Sequence, residues 1–420
     1  MITRIRVCVL LALAAAFLFA TSCSSRSVGA APDTTVIMIS LDGTTPADVR
    51  QAHLPALADL AARGATADRL VPVFPSNTFP NHVSLVTGVS PATHGIVNNV
   101  FLDPRRGLFR YSNDPTWIEV EPIWAIASRH GVASAAYHWI GSEGPWRNGH
   151  GPAHWRPFDD DTEEDAKVGQ ILAWLDIEAT GRRPRLITSW FRGADAAAHR
   201  FGPGSAEVQR TLRSQDRALA RLVAGLDERR AFETSILLVV SDHGMASVRQ
   251  TINLESTLQE SGLDASVFGG GGIATISTGG RAVAAARTAE RVRSLGLDVL
   301  WPGPATSDPR LRNPRFGDLV VLAPVGIAIA GRRGSPMRGA HGYSPDEPSM
   351  GGLFIAAGRG IRVGSRLGEV RNLDVAPTVL AWLGIEVPQW MEGRPIADLL
   401  PTGPIAPGVA RGLRRSGEEG

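Results

Sequence analysis

The chain of 420 residues carries 43 basic and 41 acidic side chains, for a net charge of +2, and 43% of its residues are hydrophobic. That is enough apolar material for one large globular core or two ordinary ones, and it excludes an intrinsically disordered, collagen-like or polytopic membrane protein. Every basic residue except Lys167 is an arginine, so a lysine Schiff base or a phosphate-loop lysine has almost no residue to use.

Residues 1–23 are predicted to direct export. Two early arginines precede an apolar run at residues 7–20, which is shorter than the about 20 residues of a membrane-spanning helix and is typical of a secretory signal. The small residues before Cys23 resemble a bacterial lipobox, with Ala20 where a leucine is preferred. We expect an exported protein, periplasmic or on the cell surface, with a lipid anchor at Cys23; plain cleavage nearby and an uncleaved anchor are the alternatives.

Cleavage before Cys23 would also change the charge and the cysteine content of the mature chain. Two of the 43 basic residues would be lost, leaving 41 basic against 41 acidic residues. A balanced charge offers no polybasic surface, so no binding to nucleic acid is expected. One remaining cysteine cannot form a disulfide within the chain, so the fold must be held by its core or by groups such as metals that cross-link distant segments.

The first predicted elements form a strand-turn-helix unit. Residues 24–33 are small and polar and are interpreted as a tether. A continuously apolar strand follows at Thr35–Leu41, as expected for a strand that is covered on both faces. A helical stretch follows, with Thr45 at the N-cap and Pro46 at the first helical position; it is divided at Pro55 and ends at Gly64.

The same pattern recurs along the chain. A strand at Leu186–Phe191 is followed by an amphipathic helix around residues 208–226 and by a second strand at Ser235–Val240. A last apolar run at Leu353–Ala357 precedes a helix from about residue 374 to 383. Alternating strands and helices predict an α/β fold, a three-layer α/β/α sandwich around a largely parallel sheet.

One folded domain is predicted over residues 34–400, and it includes a small subdomain inserted at about 250–335, where the pattern loosens. Residues 401–420 are interpreted as a flexible tail. The glycine run at 269–272 lacks the Lys-Ser/Thr ending of a phosphate loop, so it is predicted to be a flexible turn.

Side chains of metal-ligand type lie at or near the carboxyl ends of these strands, where open α/β sheets bind ligands. They are Asp42, Asp195, His199, Asp242, His243 and His341. Three carboxylates and three imidazoles make two sets of three, the number that a catalytic zinc takes while it keeps one position open. Each residue alone has an ordinary structural interpretation, but their shared placement at strand ends predicts a metal centre.

A hydroxyl completes this set. The segment FPSNTFPNH, residues 74–82, leads into a short predicted helix that ends at Thr87, with Thr78 at the N-cap and Pro80 in the first turn. A hydroxyl at this position meets the positive end of the helix dipole, which stabilises an alkoxide or a phosphoryl group. An ordinary capping threonine is the alternative; beside two metal sets, Thr78 becomes a candidate nucleophile.

The motifs LDG, FPSNTFPNH with LVTG, HGIVNN, D-x-x-x-H-x-x-G-P, SDHGM and HGY span about residues 34–385. In these motifs the chain resembles the nucleotide pyrophosphatase/phosphodiesterases, or type I phosphodiesterases, of the alkaline phosphatase superfamily. The resemblance implies an alkaline phosphatase-like fold, two zinc ions and Thr78 as the nucleophile. It implies that one zinc is held by Asp195, His199 and His341, and the other by Asp42, Asp242 and His243.

The resemblance also implies contacts to the substrate. Asn99, the second asparagine of HGIVNN, matches the side chain that donates to a non-bridging phosphate oxygen. Phe79 and Trp190 would form the two walls of a base-stacking slot. Trp190 stands where a tyrosine is usual, which changes the width of the slot, and Ala198 replaces the glycine that usually precedes the histidine.

The expected function is hydrolysis of phosphodiester or phosphoanhydride bonds in small molecules such as nucleotides, through a phosphothreonine intermediate. Another threonine-nucleophile hydrolase of the same superfamily, acting on choline phosphodiesters or phosphonoacetate, is an alternative with the same metal ligands. A zinc-binding surface lipoprotein without catalytic activity is an alternative from a different class. The sequence indicates no particular oligomeric state.

Overall fold

The computed structural model describes residues 34–178, 182–330 and 336–400. The predicted export signal, lipid anchor, tether and C-terminal tail lie outside the described residues. Among the helices of the described ranges, none is both long and apolar enough to span a membrane.

The described part of the chain alternates strands with helices. The strands are β1 (Thr35–Leu41), β2 (Gly64–Val71), β3 (Val100–Asp103), β4 (Gly107–Arg110), β5 (Ser134–Tyr137), β6 (His154–Arg156), β7 (Leu186–Phe191), β8 (Ser235–Val240), β9 (Ala246–Ser247), β10 (Gln250–Asn253), β11 (Ser266–Gly270), β12 (Ile273–Ser277), β13 (Asp298–Leu300), β14 (Leu319–Leu322), β15 (Ile327–Ala330), β16 (Gly339–Ala340), β17 (Phe354–Gly358) and β18 (Ser365–Arg371). The α-helices are α1 (Pro46–Gln51), α2 (Pro55–Ala62), α3 (Thr78–Thr87), α4 (Pro91–His94), α5 (Ile123–Arg129), α6 (Glu164–Leu175), α7 (Gly193–Phe201), α8 (Ala206–Glu228), α9 (Leu254–Glu260), α10 (Ala282–Ser294) and α11 (Val375–Trp382).

An eight-stranded sheet forms the centre of the fold, in the order β18-β2-β17-β8-β1-β7-β5-β6. Its strands run parallel except β17, which pairs antiparallel with both β2 and β8. The predicted largely parallel sheet is therefore confirmed. The strand predicted at Leu353–Ala357 is β17, and its reversed direction is a feature that its short apolar run did not indicate.

The two faces of β1 show why the sheet is covered on both sides. All seven residues of β1 are buried. Val36 and Met38 pack into one core, with α3, α5 and α11, whereas Ile37, Ile39 and Leu41 pack into the other, with α2, α6, α7 and α8. Because successive side chains of a strand point to opposite faces, a continuous apolar run requires two covering layers. The three-layer α/β/α sandwich is confirmed.

The helix boundaries follow local sequence signals with one exception. Pro55 starts α2, as expected from the division predicted there. The helix that carries Thr78 is the exception, because its N-cap is Asn77 and Thr78 is the first helical residue. The prediction of Thr78 at the N-cap is wrong by one position: the Asn77 backbone is extended, and its carbonyl oxygen accepts the N–H of Asn81 at 3.1 Å.

A second, smaller sheet lies within the segment predicted as an insertion. Its strands are ordered β11-β12-β14-β13 and are antiparallel. It has a core of its own, built from this sheet and from apolar residues of α9 and α10. The boundaries of the inserted subdomain stay a prediction.

The glycine run at 269–272 ends β11 with its first two residues and forms the turn to β12 with its last two, so the predicted turn is present but covers half of the run. Its backbone is hydrogen bonded to the segment that carries His341: the Gly272 N–H donates to the His341 carbonyl at 2.7 Å. A Cβ atom on Gly272 would lie 2.6 Å from the backbone nitrogen of Tyr343. Glycine is required here because two backbones approach closely, a contact between segments far apart in sequence.

Candidate active site

Three adjacent strands bring the predicted ligands together. β8, β1 and β7 are neighbours and parallel, so their carboxyl ends meet at one edge of the sheet. Asp42 follows β1, Asp242 and His243 follow β8, and Asp195 lies on α7, just after β7. The Gly43 N–H donates to Asp242 Oδ1 at 3.3 Å, which ties the ends of β1 and β8 to each other.

The first group consists of Asp195, His199 and His341. Asp195 and His199 are four residues apart on α7 and so share one helix face. Asp195 Oδ1 lies 3.4 Å from His199 Nε2 and 3.6 Å from His341 Nε2. These three side chains, predicted to form one set, are close enough to hold one metal ion.

The second group centres on His243. Its Nε2 atom lies 3.6 Å from Asp42 Oδ1 and 3.1 Å from Asp242 Oδ2. The ligand atoms of Asp42, Asp195 and His243 are also within 4.8 Å of one another. Asp195 therefore lies between the two groups, and the rings of His243 and His341 stack with their centroids 3.8 Å apart.

Each of the three predicted histidine ligands is oriented by its other ring nitrogen. Nδ1 of His199 faces the Gly339 carbonyl oxygen at 2.9 Å, and Nδ1 of His243 faces the Gly244 carbonyl oxygen at 2.9 Å. Nδ1 of His341 faces the carbonyl oxygen of Ser76 at 3.2 Å and Oδ1 of Asn77 at 2.9 Å. Because a carbonyl oxygen can only accept, Nδ1 is the donor and Nε2 keeps its lone pair for the cluster.

The carboxylates fit a cation at this position. Asp42 Oδ1 and Asp195 Oδ1 are buried and have no hydrogen-bond donor among the described residues. Burial, together with the negative charges of Asp242 and Asp195, raises the pKa of Asp42 well above its usual value. Burial and the neighbouring histidines lower the pKa of His341 well below its usual value. Carboxylate and imidazole donors of this kind are ligands of zinc and similar divalent metals.

Thr78 lies beside the second group. Its hydroxyl oxygen is 3.1 Å from His243 Nε2. As the first residue of α3, it stands at the helix end whose backbone N–H groups have no partner within the helix. The next N–H, that of Phe79, donates to Asn99 Oδ1 at 2.8 Å, which fixes the side chain of Asn99 against the start of the helix.

A cavity of about 730 Å³ opens over these residues. The predicted site residues in its lining are Asp42, Thr78, Phe79, Asn99, Trp190, Asp195, His199 and His341. Asp242 and His243 are not part of this lining and are buried. The small sheet also contributes to the lining through the glycine run at 269–271.

Trp190 has neighbours that the stacking prediction does not include. Its indole N–H donates to Asp42 Oδ2 at 2.9 Å. Its ring is stacked on Phe158, 5.5 Å between centroids, and is also in contact with His82. Trp190 is 5% exposed, whereas Tyr111 in the lining of the same cavity is 56% exposed. The slot between Phe79 and Trp190 stays a prediction.

Sequence reasoning missed two further residues of the site. His82 is buried, and its Nδ1 lies 3.0 Å from the Thr78 carbonyl oxygen and 3.3 Å from Asp242 Oδ2. His82 lies four residues after Thr78 on the same short helix, and this spacing could have predicted that the two side chains share one face. Phe158 comes from a loop without periodicity, and no pattern in the sequence pointed to it.

The fold has counterparts among known proteins. The solved structures of murine and human ectonucleotide pyrophosphatase/phosphodiesterase 5 match with TM-scores of 0.77 and 0.76, at 23% and 24% identity. The matches cover 84% of this chain in both cases, and 96% and 95% of the murine and human chains. The murine structure is an inactive threonine-to-alanine variant in complex with AMP. This chain therefore has an alkaline phosphatase-like fold.

The family model of type I phosphodiesterase / nucleotide pyrophosphatase matches residues 36–344, and the chain belongs to this family. An uncharacterized pyrophosphatase/phosphodiesterase of Schizosaccharomyces pombe is 38% identical over 219 residues, which are 50% of this chain and 45% of that protein. Human ectonucleotide pyrophosphatase/phosphodiesterase family member 1 is 32% identical over 197 residues, 46% of this chain and 21% of that protein. The region that matches this chain covers less than half of the length of each of these two relatives.

Proposed function

We propose that this protein is a two-zinc phosphodiesterase or nucleotide pyrophosphatase that acts through a phosphothreonine intermediate, with nucleotides as substrates. The observation that carries the proposal is the position of the Thr78 hydroxyl, 3.1 Å from His243 Nε2 at the N-terminus of α3. Family membership supports the reaction class. The AMP bound to the murine relative supports the substrate class, and the inactivity of its threonine-to-alanine variant supports a threonine nucleophile in this fold.

Asp195, His199 and His341 would hold one zinc ion, and Asp42, Asp242 and His243 the other. Bound zinc lowers the pKa of a hydroxyl attached to it and offsets the charge on attacking and leaving oxygens. Thr78 attacks the phosphorus in line: its Oγ–P bond forms, the P–O bond to the leaving group breaks, and the hydroxyl proton goes to the leaving group. Water then cleaves the Oγ–P bond, with its hydroxide added to phosphorus and its other proton added to Thr78 Oγ.

Two groups of the chain stabilise the charge of the transferred phosphoryl group. Asn99 donates from its amide nitrogen while its oxygen is held by the Phe79 N–H. The backbone N–H of Thr78 at the helix start is the second donor. The cavity volume and the aromatic lining from Phe79, Tyr111 and Phe158 suit a substrate as large and as planar as a nucleotide.

Replacement of the nucleophile tests the proposal directly. Thr78→Ala removes the attacking oxygen, and we expect kcat/KM for the p-nitrophenyl ester of thymidine 5′-monophosphate to fall at least about a thousandfold, whereas Thr78→Ser retains part of the activity. The exposed Thr93 lies outside the cavity lining, so Thr93→Ala is the matched control. Near-wild-type turnover by Thr78→Ala would rule out the nucleophile.

A substrate panel distinguishes the alternatives. It compares a dinucleoside polyphosphate, the thymidine ester, a choline phosphodiester and phosphonoacetate. We expect turnover of the first two. Cleavage confined to the last two would overturn the nucleotide assignment and leave the metal and threonine chemistry in place, and no turnover of any compound, in protein shown to contain zinc, would favour the binding-protein alternative.

A further inference from the structure

Lys167, the single lysine of the sequence, is buried in α6. It is 3% exposed, and a buried ammonium requires partners. Its Nζ donates to the Trp190 carbonyl oxygen at 2.8 Å and lies 2.9 Å from Glu164 Oε2. A chain that uses arginine at all its other 42 basic positions has a lysine here, and a compact ammonium with three donors fits an enclosed position better than a planar guanidinium does.

Glu164 also contacts the backbone just after β7. Its Oε1 accepts the backbone N–H of Arg192 at 3.2 Å. The ion pair of Lys167 and Glu164 therefore holds the backbone on both sides of Phe191, the last residue of β7. The turn that it holds leads directly into α7, which carries Asp195.

The side chain of Trp190 is hydrogen bonded to one of the candidate metal ligands. Its Nε1–H donates to Asp42 Oδ2 at 2.9 Å, while Asp42 Oδ1 is left without a donor and faces His243. Phe158 and His82 pack against the indole ring, so its rotamer is restrained. Asp42 is thus bonded through one oxygen and is free to bind through the other.

We propose that Lys167, Glu164 and Trp190 form a positioning unit that orients Asp42 toward the metal. The proposal rests on the metal centre of the proposed function, and it assigns Trp190 a role other than base stacking. Hydrogen bonds to the outer oxygen of a ligating carboxylate orient the ligand, and their loss typically weakens metal binding about 10- to 100-fold. None of the three residues needs to touch the substrate.

Zinc binding by the metal-free protein tests this unit without substrate. Zinc alone is titrated in competition with a chromophoric chelator, against wild type, Trp190→Phe, Lys167→Met and the double variant. We expect each single variant to bind one of its two zinc ions at least about tenfold less tightly than wild type binds that ion. Because Lys167 acts through Trp190, we expect the double variant to lose little more than Trp190→Phe loses.

Two further variants keep the test interpretable. Lys167→Met leaves Glu164 as an unpaired buried carboxylate, so Glu164→Gln/Lys167→Met, which removes both charges together, is measured beside it. Arg221 of α8 forms an exposed ion pair with Asp165, which lies on α6 as Lys167 does. Arg221→Met is the control and is expected to leave zinc affinity unchanged. Thermal unfolding of each metal-free variant shows whether the fold is retained.

The outcomes separate this inference from the proposed function. Unchanged zinc affinity in Trp190→Phe or in the charge-balanced variant would overturn the positioning unit alone, as would losses that multiply in the double variant. A wild-type protein that binds no zinc would overturn the metal centre, and the positioning unit with it. Inactive wild-type protein that binds zinc and shows the expected variant effects would overturn only the proposed reaction.

Discussion

Asn99 uses the two ends of its amide for different purposes. Its oxygen accepts the Phe79 N–H at 2.8 Å, and the residue lines the cavity beside Thr78. The position of the amide nitrogen is therefore set by a hydrogen bond that does not involve the substrate. Such preorganised donors stabilise developing negative charge because they need no reorientation during the reaction.

The substitution Asn99→Asp separates these two purposes. An aspartate keeps an acceptor for Phe79 and nearly the same shape, but it replaces the amide donor by a negative charge that faces the phosphate. We expect kcat to fall about 100- to 1000-fold with little change in thermal stability. Steady-state kinetics and thermal unfolding of the variant provide the measurement, and an unchanged kcat would remove Asn99 from the catalytic group.

His94 is a second residue whose hydrogen bonds fix its protonation. Its Nδ1 accepts the Ile96 N–H at 3.1 Å, and its Nε2 lies 3.0 Å from Ser84 Oγ, whose own hydrogen is donated to the Val89 carbonyl oxygen. Nε2 therefore carries the proton. Burial lowers the pKa of His94 from its ordinary 6.5 to about 3.

This shift predicts the pH dependence of stability. Between pH 6.5 and about 3 the unfolded chain binds a proton at His94 that the folded chain does not. The free energy of unfolding therefore decreases as the pH falls through this window, by up to about 1.4 kcal/mol per pH unit. His94→Asn keeps an acceptor for Ile96 and cannot titrate, so its stability is expected to fall less steeply below pH 6.5 than that of wild type. At pH 7.5 the variant is expected to be less stable than wild type.

Urea unfolding of the two proteins at several pH values measures the difference, in which contributions from all other groups cancel. Parallel curves for wild type and His94→Asn would contradict the assignment of this slope to His94.

At the scale of single elements, the turn between β11 and β12 supports the active site from the small sheet. Gly272→Ala would force a Cβ atom to within 2.6 Å of the Tyr343 nitrogen and so displace the loop backbone that follows His341. We expect a loss of about 1–3 kcal/mol in stability and a decrease in activity larger than this destabilisation explains. Chemical unfolding and kinetics are measured on the same preparation.

A matched control for this substitution is Gly368→Ala. Gly368 lies in β18, and a Cβ atom built on it would meet nothing within 4 Å. We expect this variant to retain activity. Equal effects of the two substitutions would show that the turn has no special relation to His341.

Elements and ligands were predictable from the sequence where a local pattern determined them. The buried strands β1, β7 and β8 are continuous apolar runs, and the polar residues that end them are therefore conspicuous. The small-sheet contact to His341 was not predictable, because it joins backbones about 70 positions apart. The antiparallel direction of β17 was not predictable either, since a short apolar run has the same appearance in both directions.

At the scale of the whole molecule, the six candidate ligands connect residues that lie between positions 42 and 341. Metal that binds the folded chain and not the unfolded one adds stability that grows with its concentration, about 4 kcal/mol at a thousandfold excess over Kd. We expect a chelator to lower the thermal midpoint and added zinc to restore it. Scanning calorimetry measures both, and equal midpoints for chelated and zinc-loaded protein would contradict a cross-linking role.

The position of β17 has a consequence for synthesis of the chain. β2 lies between β17 and β18 in the main sheet, and both of these partners come from beyond residue 350. β2 is therefore synthesised early, but neither of its edges can pair until most of the polypeptide has been synthesised. Strand edges that pair late slow folding and favour association with other chains. The nascent chain must be kept from aggregating until its last quarter has been synthesised.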